Sequence, residues 1–262
     1  MRPIARYMLG IILFIATGIF PSTTLGTPAS FILVHGATGG GWDWKKVAEA
    51  LQENGHQVFR PTLTGLGARM HLARPDINLT THISDIENLI RFESLQNVVL
   101  VGHSYGGMVI SGVLHKMPER LAAVVYLDAM LPANGMSALE LTELGEAQLP
   151  VKNGLIYFPW LRGTNGFPSD VPHPLRSYTE PVSMTNPAAA EIHGVYIGFR
   201  DPVTQKLLPF VTTSKNRAQN NKWLICELVS DHNPQRHMPD RLARLIEQSA
   251  LRETCPPDMA GR

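Results

Sequence analysis

Residues 97–114 read NVVLVGHSYGGMVISGVL, and no other stretch constrains the fold as tightly. An apolar, β-branched run of the kind found in strands buried on both faces stops at Gly102, and helical periodicity begins at once after Gly106. Between them stand His103, Ser104 and Tyr105. As a bare pattern, G-x-S-x-G counts for little. Between a buried strand and a helix it gains meaning, because the strained turn then lifts the serine hydroxyl above the sheet. Ser104 is therefore the candidate nucleophile, with an ordinary loop serine as the alternative.

The rest of the chain repeats the alternation. SFILVHG (30–36), HQVFRP (56–61), LAAVVYLDAMLP (121–132), HGVYIGFRD (193–201) and KWLICELV (222–229) read as strands. Helical spacing occupies 42–54, a segment beginning near Thr80, the residues after Tyr105, a stretch around 204–219, and 239–251. Continuous apolar strands separated by amphipathic helices predict an α/β fold with a mostly parallel sheet covered on both faces. Residues 133–190 break the rhythm, being rich in Pro and Gly with one good helical stretch, SALELTELGEAQ. They are read as a lid inserted over the carboxyl ends of the strands, where α/β proteins place their ligands. The core is then 27–132 together with 191–262.

A serine nucleophile needs a histidine base held by a carboxylate, and on such a sheet the chain order is Ser, acid, His. Five histidines follow Ser104. His115 falls inside a helix, His173 in the insertion, and His193 at the start of a strand. His232 and His237 share the loop SDHNPQRHMPD after the last strand. His232, next to the strand end, is taken as the base ahead of His237. For the acid, Asp201 ends the strand VYIGFRD before Pro202 and is taken ahead of Asp128 in VVYLDAML, on geometric grounds. The oxyanion hole falls to the backbone amides of Tyr105 and of Ala37 in HGATGGGWDW.

That glycine-rich loop could instead cradle a dinucleotide. The pattern fails there, because Trp42 stands where close helix packing asks for glycine, and no Lys-Ser/Thr phosphate loop follows. No metal-binding motif occurs, so the expectation is neither cofactor nor metal. A formal charge of +1 without any Lys/Arg block gives no reason to expect nucleic acid or an anionic membrane as partner. The oligomeric state is left open, a homodimer among the options.

The first 26 residues differ from the rest. Arg2 and Arg6 precede an apolar run from about Tyr7 to Phe20, then Pro21 and small residues up to Gly26. This order matches a secretory signal peptide. The run is too short for a spanning helix of about 20 residues. Its removal takes away two arginines and no acid, shifting the charge from +1 to −1. The protein is thus expected to be secreted or periplasmic. The two cysteines, Cys226 and Cys255, pair or stay free with equal plausibility on sequence grounds.

With these residues in hand, the chain resembles the α/β-hydrolase superfamily. Within it, it is similar to the branch of plant methylesterases, hydroxynitrile lyases and bacterial alkyl-salicylate-type esterases. The stretches that carry the resemblance are FILVHGATGGGWDWKKVAEAL, PTLTGLGARMHLARPDINLTTHISDI, VVLVGHSYGGMVISGV, PERLAAVVYLDAMLP, PHPLRSYTEPV and SDHNPQRHMPDRL. The resemblance implies Ser104 as nucleophile, Asp201 as acid, His232 as base, and Ala37 and Tyr105 as oxyanion amides. Cyanohydrin-cleaving members carry Thr at the position of Gly36 and Lys at that of Asn233. The resemblance therefore implies an esterase acting on a small-molecule ester with an apolar or aromatic part, with a lyase and a non-catalytic binding protein as rivals. Most relatives continue apolar after the base, where this chain has NPQRHMP.

Overall fold

A computed structural model describes residues 28–142, 145–161 and 166–256. The stretch read as a signal peptide lies outside the described residues. In chain order the elements are β1 (Ser30–Val34), α1 (Lys45–Glu53), β2 (Gln57–Phe59), α2 (Leu79–Phe92), β3 (Val98–His103), α3 (Gly106–Lys116) and β4 (Leu121–Leu127). Then follow α4 (Ala138–Leu141), β5 (Val151–Lys152), β6 (Leu155–Ile156), β7 (His173–Pro174) and α5 (Leu175–Thr179). The chain closes with β8 (His193–Arg200), α6 (Pro209–Asn220), β9 (Leu224–Val229), α7 (Pro234–His237) and α8 (Pro239–Leu251).

Six strands form one sheet in the order β2-β1-β3-β4-β8-β9, every pairing parallel. Successive side chains of a strand point to opposite faces, and the sequence loads both faces with apolar groups. Ile32, Val34, Leu100, Val124, Tyr126 and Tyr196 join the core against α2, α3 and α6. Phe31, Leu33, Val99, Val101, Val125 and Ile197 join a second core against α1 and α8. All six strands therefore end on one side, and the loops that follow β1, β3, β4 and β9 converge there.

Local signals explain most element boundaries. The Asn78 side chain accepts the Thr81 amide at 2.9 Å and caps α2. Several expected elements are shorter. LAAVVYLDAMLP leaves the sheet at Asp128, where φ is +44°, and the helix foreseen from 204 begins only at Pro209. The stretch SALELTELGEAQ yields a four-residue helix, α4. Within 133–190 a small antiparallel sheet, β5-β6-β7, was not anticipated. Its strands are two residues each, too short for periodicity to register.

Cys226 on edge strand β9 and Cys255 beyond α8 are joined in a disulfide, with Cα atoms 5.7 Å apart. The bridge pins the C-terminal segment to the sheet and closes a ring across 29 positions. Cross-linking a loop of that size constrains the unfolded chain by about 3 kcal/mol. The double substitution Cys226→Ser/Cys255→Ser should lower unfolding stability by about that amount in denaturant titration, with the fold retained.

Candidate active site

Ser104 sits at φ +53° between β3 and α3, in the left-handed region that costs a non-glycine residue about 1 kcal/mol or more. The two flanking glycines make the turn sterically feasible. A Cβ on Gly102 would stand 2.8 Å from the Gly106 carbonyl oxygen, and one on Gly106 would stand 2.8 Å from the carbonyl oxygens of Val34 and His35. The Ser104 amide donates to the Leu127 oxygen at 3.2 Å, and the Ser104 carbonyl accepts from Gly107 and Met130. The backbone of the turn is thus held from both sides while the side chain faces a cavity.

The carboxylate that reaches His232 is Asp128, which corrects the expectation of Asp201. Asp128 follows β4 and is 1% exposed. Its Oδ2 accepts Nδ1–H of His232 at 2.7 Å and its Oδ1 accepts the Phe199 amide at 2.8 Å. Asp201 instead closes its own loop. Its Oδ1 accepts the amides of Val203 and Thr204 and the Thr204 hydroxyl. These donors hold its pKa below the usual carboxylate range. With that oxygen engaged in a local turn at the surface, Asp201 serves the turn and not His232. Because Nδ1 of His232 donates to Asp128, Nε2 is left with its lone pair, the form a general base requires.

His232 is also fixed from below. Nε2–H of His103 donates to the His232 carbonyl oxygen at 2.7 Å, with the two rings 4.6 Å apart. Burial, and then the neighbouring His232, hold the His103 pKa well below its ordinary value. His103 therefore stays neutral when His232 takes a proton, and no second cation competes. His237, the rival base, is half exposed beside Asp231.

The oxyanion loop follows β1. His35 is fully buried, donating Nδ1–H to the Gly36 oxygen at 2.8 Å and accepting the Leu63 amide on Nε2 at 3.1 Å. In a trans peptide C=O and N–H point opposite ways. Tying the Gly36 oxygen inward thus turns the Ala37 N–H outward, toward the cavity that Gly36, Ala37 and Ser104 line. Among the described residues neither the Ala37 nor the Tyr105 amide has a backbone acceptor in the protein. Gly36 is confined as well, since a Cβ there would stand 3.0 Å from Ser104 Cβ and 3.1 Å from His103 Nδ1.

A family model described as the alpha/beta hydrolase family matches residues 31–253. The chain belongs to that family. The carbendazim hydrolyzing esterase of Nocardioides sp. (strain SG-4G) is 49% identical over 113 residues, covering 43% of this α/β hydrolase and 47% of that protein. Methylesterase 1 of Arabidopsis thaliana is 35% identical over 104 residues, 39% of this chain and 40% of that one. The chain thus spans about half the length, or less, of these curated relatives. They include the plant methylesterase branch to which the motifs pointed. An extracellular alpha/beta-hydrolase from a Paenibacillus species superposes with a TM-score of 0.70 at 21% identity, covering 85% of this chain and 99% of that one, a likeness of fold.

In this α/β hydrolase the cavity measures about 790 Å³ and reaches from Ser104 and His232 to the segment between β4 and β8. Met130, Leu149, Phe158, Trp160, Tyr178 and Phe210 give it an apolar wall. Among the aromatics of the insertion, buried Phe158 and half-exposed Trp160 line it, stacked at 4.3 Å, while Tyr157 and Phe167 are exposed and are not part of its lining. The opposite wall is charged, and sequence reasoning missed it. Arg236 donates Nε–H and Nη2–H to the two oxygens of Asp43 at 2.7 and 3.2 Å, and Nη2–H again to Asp170 at 3.3 Å. Its guanidinium also lies 5.0 Å over the Trp42 ring. These partners keep Arg236 firmly protonated, while burial raises the Asp43 pKa.

Two predictions follow from this geometry. Asp128→Asn should lower kcat by about 10³- to 10⁴-fold, the usual cost of the wrong imidazole tautomer, whereas Asp201→Asn should stay within about threefold; steady-state kinetics on one ester compares them. His35 and His82 are buried neutral, their pKa values held down to about 4 from 6.5 by desolvation. The unfolded chain therefore binds protons that the folded one refuses between pH 6.5 and 4, and stability falls as pH drops through that window. Thermal unfolding should show Tm declining steadily from pH 6.5 to 4.5, and a flat profile would contradict the burial assigned to these rings.

Proposed function

We propose that the chain is a serine carboxylesterase that hydrolyses small esters with an apolar or aromatic part through an acyl-enzyme. The observation that carries the reading is the arrangement around one cavity. Ser104, in a left-handed turn, His232, whose Nδ1 is held by buried Asp128, and Ala37 of the oxyanion loop line it, and the amide of Tyr105, next along the chain from Ser104, has no backbone acceptor among the described residues. The family, the esterase and methylesterase names among the relatives, and the apolar wall support it.

In the proposed reaction, Nε2 of His232 takes the Ser104 proton as the hydroxyl oxygen attacks the ester carbonyl. The carbonyl π electrons move onto oxygen, where the two amides receive the charge, each contributing about 3 kcal/mol to the barrier reduction. Collapse of the intermediate expels the alcohol, which leaves with the proton from His232. Water, deprotonated by His232, then attacks the acyl-enzyme, and Ser104 recovers its proton as the acid departs. Asp128 keeps the imidazolium oriented and neutralised at both steps.

The cavity volume falls in the range that encloses a small organic ligand. Ring faces at Phe158, Trp160 and Tyr178 suit an aryl or branched apolar group over a long flexible chain. Export to an oxidising compartment is part of the same proposal, supported by the order of the first 26 residues and by the Cys226–Cys255 bridge.

Hydrolysis of a panel of p-nitrophenyl and methyl aryl esters by residues 27–262, beside Ser104→Ala, tests the reading. Turnover by the wild type should fall at least about 10³-fold in the variant, with aryl and short branched esters preferred. Labelling of Ser104 by a fluorophosphonate without turnover of any ester would refute carboxylesterase activity.

A further inference from the structure

Among the described residues, Thr38 is the residue of the oxyanion loop that the inserted segment holds by hydrogen bonds. It is 1% exposed and holds φ +66°, a conformation that is costly for any β-branched residue. Such a residue persists only where its surroundings over-determine it, and here every polar group of Thr38 is engaged. Its carbonyl accepts the Val171 amide at 2.9 Å. Its amide donates to Nδ1 of His173 at 3.4 Å. Its hydroxyl oxygen accepts Nε1–H of Trp160 at 3.1 Å. The single hydroxyl proton has two acceptors, the Ala37 carbonyl at 2.6 Å and Asp170 at 3.2 Å.

Trp160, Asp170, Val171 and His173 all lie between β4 and β8, far along the chain from Thr38. His173 is itself set as an acceptor. Burial holds its ring neutral, Nε2–H donates to the Ser177 hydroxyl at 2.8 Å, and that hydroxyl donates to the Pro174 oxygen. The consequence falls on Ala37. The peptide before Ala37 is fixed by His35 on the Gly36 oxygen, and the peptide after it by Thr38 and His173 on its two ends.

The geometry points to Thr38 as a positioning residue through which the inserted segment aims the Ala37 amide at the reacting carbonyl. The insertion then completes the oxyanion hole as well as roofing the cavity. This rests on the carboxylesterase reading above, in which the Ala37 amide receives the charge of the acyl-transfer intermediate.

The test uses the purified protein with Thr38→Val, Thr38→Ser and Trp160→Phe, on one p-nitrophenyl ester. Valine keeps the β-branch, and hence the backbone strain, while deleting the hydroxyl; serine keeps the hydroxyl. Alongside kcat and KM, the readouts are Tm and inhibition by a trifluoromethyl ketone bearing the same acyl group. Its serine adduct carries the oxyanion, so its affinity reports the hole itself.

Thr38→Val should lose about 10- to 100-fold in kcat, part of what deleting a whole donor costs, with KM within about threefold. The ketone should weaken in proportion to kcat/KM, and Thr38→Ser should recover most of both. Trp160→Phe should show a smaller loss of the same kind that adds nothing in the Thr38→Val background, where the donor has already lost its acceptor. Wild-type kcat in Thr38→Val, or a loss that leaves ketone affinity untouched, would overturn the assignment. Should Thr38→Val fail to fold, unchanged ketone affinity in Trp160→Phe would overturn it equally. A wild type without turnover on any ester removes the carboxylesterase reading first and Thr38's role with it, whereas an active wild type with an indifferent Thr38 removes only the latter.

Discussion

A carboxylate buried at 1% exposure cannot remain charged without compensation, and Asp128 meets that demand in a way that organises the whole strand-end face. One oxygen takes the Phe199 amide from β8 and the other takes the His232 imidazole from the loop after β9. Its own amide donates to Ile197 at 2.7 Å. A single side chain thereby joins the ends of three neighbouring strands. The left-handed turn at Ser104 sits one strand away, its amide held by Leu127, the residue before Asp128. The nucleophile and the carboxylate therefore share a backbone reference, and small shifts in one strand end move both together.

The sheet was legible because its inner strands, β1, β3, β4 and β8, are buried on both faces, which leaves a nearly unbroken apolar signature. Ser104 was legible because it follows such a strand directly, and His232 because it stands three positions past Val229, the end of edge strand β9. The choice between Asp201 and Asp128 went astray for a physical reason present in the sequence. Asp201 is followed by Pro-Val-Thr, a run in which an Asp carboxylate commonly accepts amides two and three residues on and closes a turn. Asp128 lies between Leu127 and Ala129-Met130-Leu131, an apolar setting in which a lone carboxylate calls for a partner from elsewhere. The same loop explains why α6 begins at Pro209 and not near 204. What no local pattern could reveal is the grip on Thr38, since its partners are more than 120 positions away.

The run NPQRHMP, where relatives continue apolar, takes on meaning through Arg236. Its guanidinium joins the 3-10 turn that follows the oxyanion loop, through Asp43, to the inserted segment, through Asp170. Two carboxylates around one cation leave this corner of the cavity with a surplus of negative charge, facing the apolar wall of Phe158 and Trp160. Gly39 belongs to the same arrangement. A Cβ there would stand 2.6 Å from Asp43 Oδ2, so the loop must be bare at that point for the ion pair to form. Polarity on one side and ring faces on the other give the cavity a direction.

The disulfide has an effect on the base that follows from where it closes. Cys226 lies six positions before His232 and Cys255 lies beyond α8, so the histidine loop is one arc of a covalent ring whose other arc is the closing helix. If α8 frays at its exposed end, the ring still tethers both flanks of that loop to the sheet edge. The loop that sets the imidazole over Asp128 is thus closed covalently on its far side, beyond α8, as well as anchored by β9.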